Sequence, residues 1–208
     1  MTRVVYLHGF ASSPQSGKAR FFRERFAERG VDLEIPQLDE GNFQALTITG
    51  QLGVIDRAMG GSSAILMGSS LGGYLAAVYA GRHPEVERLV LLAPAFHFPQ
   101  RWPERYTVEQ RDRWKRQRSM PVFHYGYGRE IPLGYGIVDD AESYENEPEF
   151  TQPALIIHGT RDDIVPAEVS MSYASRHPNV DLHLMESGHE LTDVLNPMWE
   201  LIRAFMAI

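Results

Sequence analysis

The pentapeptide Gly68-Ser69-Ser70-Leu71-Gly72 constrains the fold of this chain more than any other stretch. It directly follows the apolar run Ala64-Ile65-Leu66-Met67, and an Ala-rich run continues to residue 80. The first run is typical of a buried strand, and the second predicts a helix. Ser70 then lies on a sharp strand-to-helix turn, where the glycines two residues before and after it allow close backbone approach. The five letters alone also fit a plain structural turn, but their flanks favour a strained serine with an exposed hydroxyl.

Predicted strands and helices alternate on either side of this turn. The strands cover residues 4–7, 32–36, 64–67, 86–92, 154–158 and 180–185, and the helices cover residues 17–29, 43–59, 72–80, 166–176 and 191–207. Strands that alternate with helices form a parallel sheet with helices on both faces. We therefore predict an α/β fold with about six mostly parallel strands flanked by helices. A chain of 208 residues is ordinary for one core, so we expect a single domain over residues 1–208.

The stretch 96–150 interrupts the alternation, and we predict that it is a cap insertion between two core strands. It contains a charged segment at 104–118, predicted to be helical, and Gly-Tyr-rich turns at 125–128 and 134–136 with a possible hairpin between them. An insertion at this place is typical of a cap over a pocket. Eight basic and three acidic residues lie between Arg101 and Arg129, so this part carries +5 and the remainder −12. Such a lid could steer an anionic substrate, or it could be a solvated face paired with acidic neighbours.

Ser70 needs a base, because a hydroxyl is a poor nucleophile near neutral pH. Among the eight histidines, His189 lies between the last predicted strand and the last predicted helix, where a loop can bring its ring to Ser70. The base in turn needs an acid that orients it. Asp162 and Asp163 follow the fifth predicted strand, and either could supply that carboxylate while the other caps the next helix. The chain order of serine, aspartate and histidine is the order that α/β-hydrolases use.

Three stretches add a resemblance to a known family. The segment from His158 to Pro166 is similar to the H-G-x-x-D-x-x-V-P signature of α/β-hydrolases. Together with Tyr6-Leu7-His8-Gly9-Phe10, the Ser70 pentapeptide and Gly188-His189-Glu190-Leu191, it resembles small bacterial esterases of the YqiA type, which are compact α/β-hydrolases. The resemblance implies an α/β-hydrolase fold, and it assigns the orienting acid to Asp162, the aspartate three residues after the glycine of the signature.

An acyl-transfer site also needs hydrogen-bond donors for an oxyanion. By position, these are the backbone N–H groups of Leu71, directly after the nucleophile, and of Phe10, in the loop after the first strand. The predicted cap adds aromatic side chains, and five of its residues are candidates for substrate binding: Trp102, Trp114, Phe123, His124 and Tyr125. Some aromatic residues must pack the cap onto the body, and others would meet an acyl or aryl group.

Composition and missing motifs exclude several classes of function. The chain has no cysteine and hence no disulfide framework, thiolate zinc site or cysteine nucleophile. Without an H-E-x-x-H motif we expect neither a metal nor a cofactor. The N-terminus lacks a signal-peptide pattern and no apolar run approaches a membrane span, so we expect a cytoplasmic protein. A net charge of −7 and the lack of nucleic-acid motifs argue against a nucleic-acid partner.

These features predict a serine hydrolase that cleaves a carboxylic ester or thioester through an acyl-enzyme on Ser70. His189 would act as general base and acid, and Asp162 would orient it. An acyltransferase, or a hydrolase of amide or carbon–carbon bonds, could use the same three side chains. A ligand-binding protein on a hydrolase scaffold is the alternative from another class.

Overall fold

A parallel sheet forms the centre of the computed structural model, which describes residues 2–208. Its strands and those of a separate hairpin are β1 (Arg3–Leu7), β2 (Asp32–Glu34), β3 (Ala64–Ser69), β4 (Val86–Leu92), β5 (Ser119–His124), β6 (Arg129–Gly134), β7 (Ala154–Gly159) and β8 (Val180–Met185). Six of them pair in the order β2-β1-β3-β4-β7-β8, and every pair is parallel. This sheet confirms the predicted α/β fold.

Helices cover both faces of the sheet. They are α1 (Gly17–Ala27), α2 (Ile48–Met59), α3 (Leu71–Ala80), α4 (Phe98–Glu104), α5 (Val108–Gln117), α6 (Gly136–Ala141), α7 (Ala167–Arg176) and α8 (Leu195–Met206). Alternate strand residues enter different cores: Val4 and Tyr6 pack with α1 and α8, whereas Val5 and Leu7 pack with the helices of the opposite face. The sheet therefore separates two apolar cores, as the period of two along a strand requires.

Several predicted boundaries differ from the observed ones because local capping ends or starts a helix. The helix predicted over 43–59 is a 3₁₀ turn, Phe43–Ala45, followed by α2, whose N-cap Thr47 accepts a hydrogen bond from the N–H of Gly50. The charged segment at 104–118 splits into α4 and α5, since Thr107 and Gln110 form a capping box that starts α5. The last helix begins at Leu195 after a 3₁₀ turn, not at Leu191.

Residues 93–153, which we call the inserted segment, lie between β4 and β7. The segment contains α4, α5, the antiparallel pair β5–β6 and α6. The hairpin turn is the first Gly-Tyr stretch, where Gly128 has φ +65°, so the hairpin surrounds this stretch and does not lie between the two stretches. Because β4 and β7 pair directly, the segment leaves the sheet and returns to it at neighbouring strands.

The carboxyl ends of the strands position the candidate residues. Ser70 follows β3, the loop with Phe10 follows β1, Asp162 follows β7 and His189 follows β8. In an open parallel sheet these ends lie along one edge, which is where ligands bind. Within residues 2–208, no helix combines the length and the apolar character needed to cross a membrane.

Candidate active site

Ser70 occupies a strained turn between β3 and α3. Its backbone has φ +54° and ψ −118°, a region that a residue with a side chain rarely adopts. A conformation of this kind costs about 1–3 kcal/mol and persists only when the surroundings hold it. One such contact is the hydrogen bond from the N–H of Ser70 to the carbonyl oxygen of Leu92, at 2.9 Å. The side chain remains partly exposed, as a nucleophile must be.

The two glycines of the pentapeptide are required by close backbone contacts. A Cβ atom on Gly68 would overlap the carbonyl group of Gly72. A Cβ atom on Gly72 would overlap the carbonyl oxygens of Leu7 and His8, because α3 starts directly against the end of β1. The glycines therefore permit the turn sterically, as predicted from their spacing.

The side chains of Ser70, His189 and Asp162 form one hydrogen-bonded chain. The Nε2 atom of His189 lies 2.9 Å from Oγ of Ser70, and its Nδ1 atom lies 2.7 Å from Oδ2 of Asp162. Since an ionised carboxylate can only accept, Nδ1 carries the proton and donates to Asp162. Nε2 is then left to accept the proton of the serine hydroxyl. The structure thus brings together the three residues that the sequence predicts.

Asp162 is buried and has a full set of donors. Its Oδ1 atom accepts from the backbone N–H groups of Ile164 and Val165, at 2.9 and 2.8 Å. Burial by itself raises the pKa of Asp162, but hydrogen bonds from His158, His189 and Val165 outweigh it and hold the pKa well below its ordinary value. Asp162 is therefore ionised at neutral pH and can stabilise a protonated His189. The neighbouring Asp163 is exposed.

His158 is a partner of Asp162 that the sequence analysis did not identify. Its Nε2 atom lies 3.1 Å from Oδ2 of Asp162 and 2.8 Å from the carbonyl oxygen of Val165. Both are acceptors, so Nε2 carries the proton and Nδ1 accepts from the hydroxyl of Ser170 at 2.7 Å. This fixed tautomer holds the carboxylate of Asp162 in the orientation that His189 needs. Its position four residues before Asp162 was the available signal.

The two predicted oxyanion donors have free N–H groups next to the nucleophile. Leu71 is the first residue of α3, and Phe10 lies in the loop after β1. Within residues 2–208, neither N–H donates to another protein atom. Gly9, directly before Phe10, touches this corner, since a Cβ atom built on it would lie 3.5 Å from Cβ of Ser70. Both donors therefore remain available to an incoming oxygen.

The five aromatic candidates of the inserted segment do not form one wall. Trp114 is buried and donates through Nε1 to the carbonyl oxygen of Leu133 at 2.9 Å, so it packs the segment and does not face a ligand. Trp102 is also buried, but its ring lies against that of Phe10, with the centroids 5.2 Å apart. Of the predicted set, Trp102 therefore packs directly against the loop that carries an oxyanion donor.

The remaining three candidates lie on the β5–β6 hairpin. Phe123 and Tyr125 are exposed, whereas His124 is buried, with Nε2 3.5 Å from Oδ2 of Asp39. The backbone N–H of Tyr125 donates to the carbonyl oxygen of Ala11 at 2.8 Å, which fixes the hairpin to the loop after β1. A small cavity of about 10 Å³ lies at this junction, enough for one water molecule. His124 thus belongs to the packing of the hairpin.

The basic residues of the inserted segment form an exposed face. Of the eight between Arg101 and Arg129, all are exposed except Arg111, which is half-buried. Within residues 2–208, none of the eight forms an ion pair with an acidic side chain. The pairing with acidic neighbours that would have explained this face is therefore not present. The same residues 2–208 contain no group of three His, Asp or Glu side chains arranged to hold a metal ion.

Sequence comparisons identify a family and a curated relative. Residues 3–206 match the profile of the Uncharacterised protein family (UPF0227). A 2-hydroxymuconate semialdehyde hydrolase of Pseudomonas putida is 28% identical, over 89% of this chain and 79% of that protein.

Solved structures with a similar fold are hydrolases by their names. Est1E of Butyrivibrio proteoclasticus with bound ferulic acid has a TM-score of 0.84 and 21% identity, over 100% of this chain and 88% of that one. A hydrolase of Agrobacterium vitis S4 has a TM-score of 0.82 and 22% identity, over 98% and 87%. Alpha/beta hydrolase domain-containing protein 10 from mouse has a TM-score of 0.79 and 21% identity, over 99% and 88%. The chain therefore has the α/β-hydrolase fold.

Proposed function

Because this chain belongs to the UPF0227 family and has the α/β-hydrolase fold, we propose that it is a serine hydrolase of carboxylic esters or thioesters. The observation that carries the proposal is the hydrogen-bonded chain from Ser70 through His189 to Asp162, built on a strained turn. Such a chain lets an ordinary hydroxyl act as a nucleophile near neutral pH.

The reaction proceeds through an acyl-enzyme. His189 takes the proton of Ser70 through Nε2 while Oγ attacks the carbonyl carbon, and Asp162 stabilises the imidazolium that forms. The carbonyl oxygen becomes an oxyanion that accepts from the N–H groups of Phe10 and Leu71. His189 then gives its proton to the leaving alcohol or thiol. A water molecule repeats the attack on the acyl-enzyme with His189 again as base, which releases the acid and restores Ser70.

We propose that residues 1–208 form one hydrolase domain and that residues 96–150 act as its cap. The contact between Trp102 and Phe10 supports this role, because it places part of the segment against the oxyanion loop. Phe123 and Tyr125 on the hairpin offer exposed rings to an acyl or aryl group. The unpaired basic face favours an ester or thioester with an anionic group, which it would attract before binding.

An acyltransferase, or a hydrolase of amide or carbon–carbon bonds, would use the same residues and differ in its acceptor or its substrate. A ligand-binding protein would not need the hydrogen-bonded chain, and this weighs against that class. The test must therefore detect an activated serine without assuming the natural substrate.

A fluorophosphonate probe followed by peptide mapping makes this test. We expect modification at Ser70, and hydrolysis of p-nitrophenyl acetate or butyrate that Ser70→Ala reduces by at least about 10³-fold. Ser62→Ala is the matched control, because Ser62 is an exposed serine in the loop before β3 and should leave both measurements unchanged. A wild-type protein that neither reacts with the probe nor turns over any ester would contradict the proposal.

A further inference from the structure

Lys18 places a cation directly behind the candidate nucleophile. Its side chain is buried, with 8% exposed, and its Nζ atom donates to Oγ of Ser69 at 2.8 Å. Ser69 is also buried and directly precedes Ser70. Lys18 lies in the first turn of α1, the helix that follows the loop with Phe10. One hydrogen bond therefore joins the two segments that carry the oxyanion donors.

The ammonium group of Lys18 has no carboxylate partner. Within residues 2–208, no Asp or Glu oxygen lies at salt-bridge distance from its Nζ atom. Buried lysines are ordinarily paired, because removing an ammonium from water is costly. Burial lowers the pKa of Lys18 to about 8, while the charges of Glu190 and Asp162 raise it. A methionine would fill the space without this cost, so the cation requires an explanation at the site.

We propose that Lys18 is a positioning residue for Ser70, which holds Ser69 in place and adds positive potential behind the oxyanion donors. The inference rests on the serine-hydrolase function proposed above. It assigns to Lys18 no contact with the substrate.

The positioning effect follows from the strain at Ser70. Its positive φ has to be held from both sides of the turn. The N–H of Ser70 is fixed to Leu92, and the side chain of the preceding Ser69 is fixed by Lys18. Without Lys18, Ser69 loses its donor, and the turn can relax toward an unstrained conformation. Oγ of Ser70 would then move away from Nε2 of His189 and from the oxyanion donors.

The electrostatic effect follows from the charges around Lys18. Glu190 and the ionised Asp162 both act on it, and Tyr6 of β1 shares the hydroxyl of Ser69. Burial raises the pKa of Tyr6, so this phenol is neutral. Two carboxylates would oppose the negative charge that develops on the substrate oxygen. The ammonium of Lys18 offsets them in a region of low dielectric constant, where a charge acts strongly.

The first test replaces the cation by an apolar side chain of similar length. We expect Lys18→Met to lower kcat for p-nitrophenyl butyrate roughly 10- to 100-fold, with KM little changed, because a misplaced nucleophile slows chemistry and not binding. The same variant should slow labelling of Ser70 by the fluorophosphonate. The ratio of wild-type to variant kcat should narrow above pH 8, where Lys18 loses its charge. A packing role would give a ratio that does not depend on pH.

Two further variants control this experiment. Arg20→Met removes an exposed cation from the same helix and should leave kcat unchanged. Ser69→Ala removes the acceptor and keeps the lysine, so it should lower kcat as well, and adding Lys18→Met to it should cost less than on the wild type. If Lys18→Met does not fold, Ser69→Ala and its pH profile carry the test.

The outcomes separate this inference from the proposed function. If wild type is labelled at Ser70 and Lys18→Met matches its labelling rate and kcat, the inference fails and the hydrolase stands. A loss in Lys18→Met that is constant from pH 6 to pH 10 also overturns the positioning role. If wild type neither reacts nor hydrolyses esters, both proposals fail together.

Discussion

At Ser70, the backbone conformation and the proposed chemistry depend on each other. The positive φ exposes the hydroxyl, and His189 on a separate loop meets it at 2.9 Å. The three residues of the chain could be predicted because each lies at a recognisable position: a G-x-S-x-G turn, a strand-end aspartate and a late loop histidine. The support from Lys18 and His158 could not, since it depends on contacts that join distant parts of the chain or on burial.

Neighbouring aspartates offer a matched test of the orienting acid. We expect Asp162→Asn to lower kcat by about 10⁴-fold, because an amide no longer favours the Nδ1 proton on His189. Asp163→Asn should stay within about twofold of wild type, since Asp163 is exposed and outside the hydrogen-bonded chain. Steady-state kinetics on a p-nitrophenyl ester measure both. Equal effects of the two changes would contradict the assignment to Asp162.

The lowered pKa of Asp162 also predicts how stability depends on pH. A carboxyl group with a depressed pKa in the folded state stabilises the fold above its unfolded pKa, about 3.9 for Asp, and this contribution disappears as the pH falls toward the folded value. The difference in free energy of unfolding between wild type and Asp162→Asn should therefore shrink below about pH 4. Urea unfolding at pH 7, 4 and 3 measures it. A difference that grows toward low pH would have the wrong sign.

Among the elements, β3 and α3 show how the turn fixes the helix against the sheet. Gly72 brings the start of α3 against the carbonyl oxygens of Leu7 and His8. We expect Gly72→Ala to lower the free energy of unfolding by about 3 kcal/mol, because the added methyl group forces the backbone apart. Activity should fall with it, since Ser70 moves with the helix.

Gly17→Ala is the control for this change. Gly17 starts α1 and has open space where a Cβ atom would lie, so the free energy of unfolding should stay the same or rise by up to about 1 kcal/mol. Thermal and urea unfolding of both variants decide the matter. A Gly72→Ala protein as stable and active as Gly17→Ala would show that the close approach is not needed.

Elements with a strong period were predictable, and those defined by turns were not. The six core strands were recognised from apolar runs, and α1 from its apolar spacing. In the inserted segment, the predicted helix at 104–118 split because Thr107 caps a new helix. Placing the hairpin required knowing which Gly-Tyr stretch turns, and a positive φ at Gly128 is not visible in the sequence.

For the whole molecule, charge is distributed unevenly. The part between Arg101 and Arg129 carries +5 on a chain of net charge −7, and its basic side chains form no ion pairs within residues 2–208. Composition predicted this asymmetry, but exposure and pairing needed the structure. A face of this kind acts on approach more than on chemistry.

Ionic strength therefore gives a test of the basic face. We expect kcat/KM for an anionic ester to fall about 3- to 10-fold between about 0.01 M and 1 M salt, as the Debye length falls from about 30 Å to 3 Å. A neutral ester of the same length should show little change. Replacing Arg113 and Arg116 by glutamine should flatten the dependence for the anionic ester only. Equal salt dependence for both esters would contradict attraction by this face.

The junction of the inserted segment with the sheet also bears on how such proteins diversify. The segment starts and ends at β4 and β7, which are paired neighbours, while Ser70, Asp162 and His189 lie outside it. Lineages can therefore lengthen, shorten or exchange this segment during evolution while the reacting groups keep their mutual geometry. A change of substrate preference would then require no new chemistry, only a different insert between two adjacent strands.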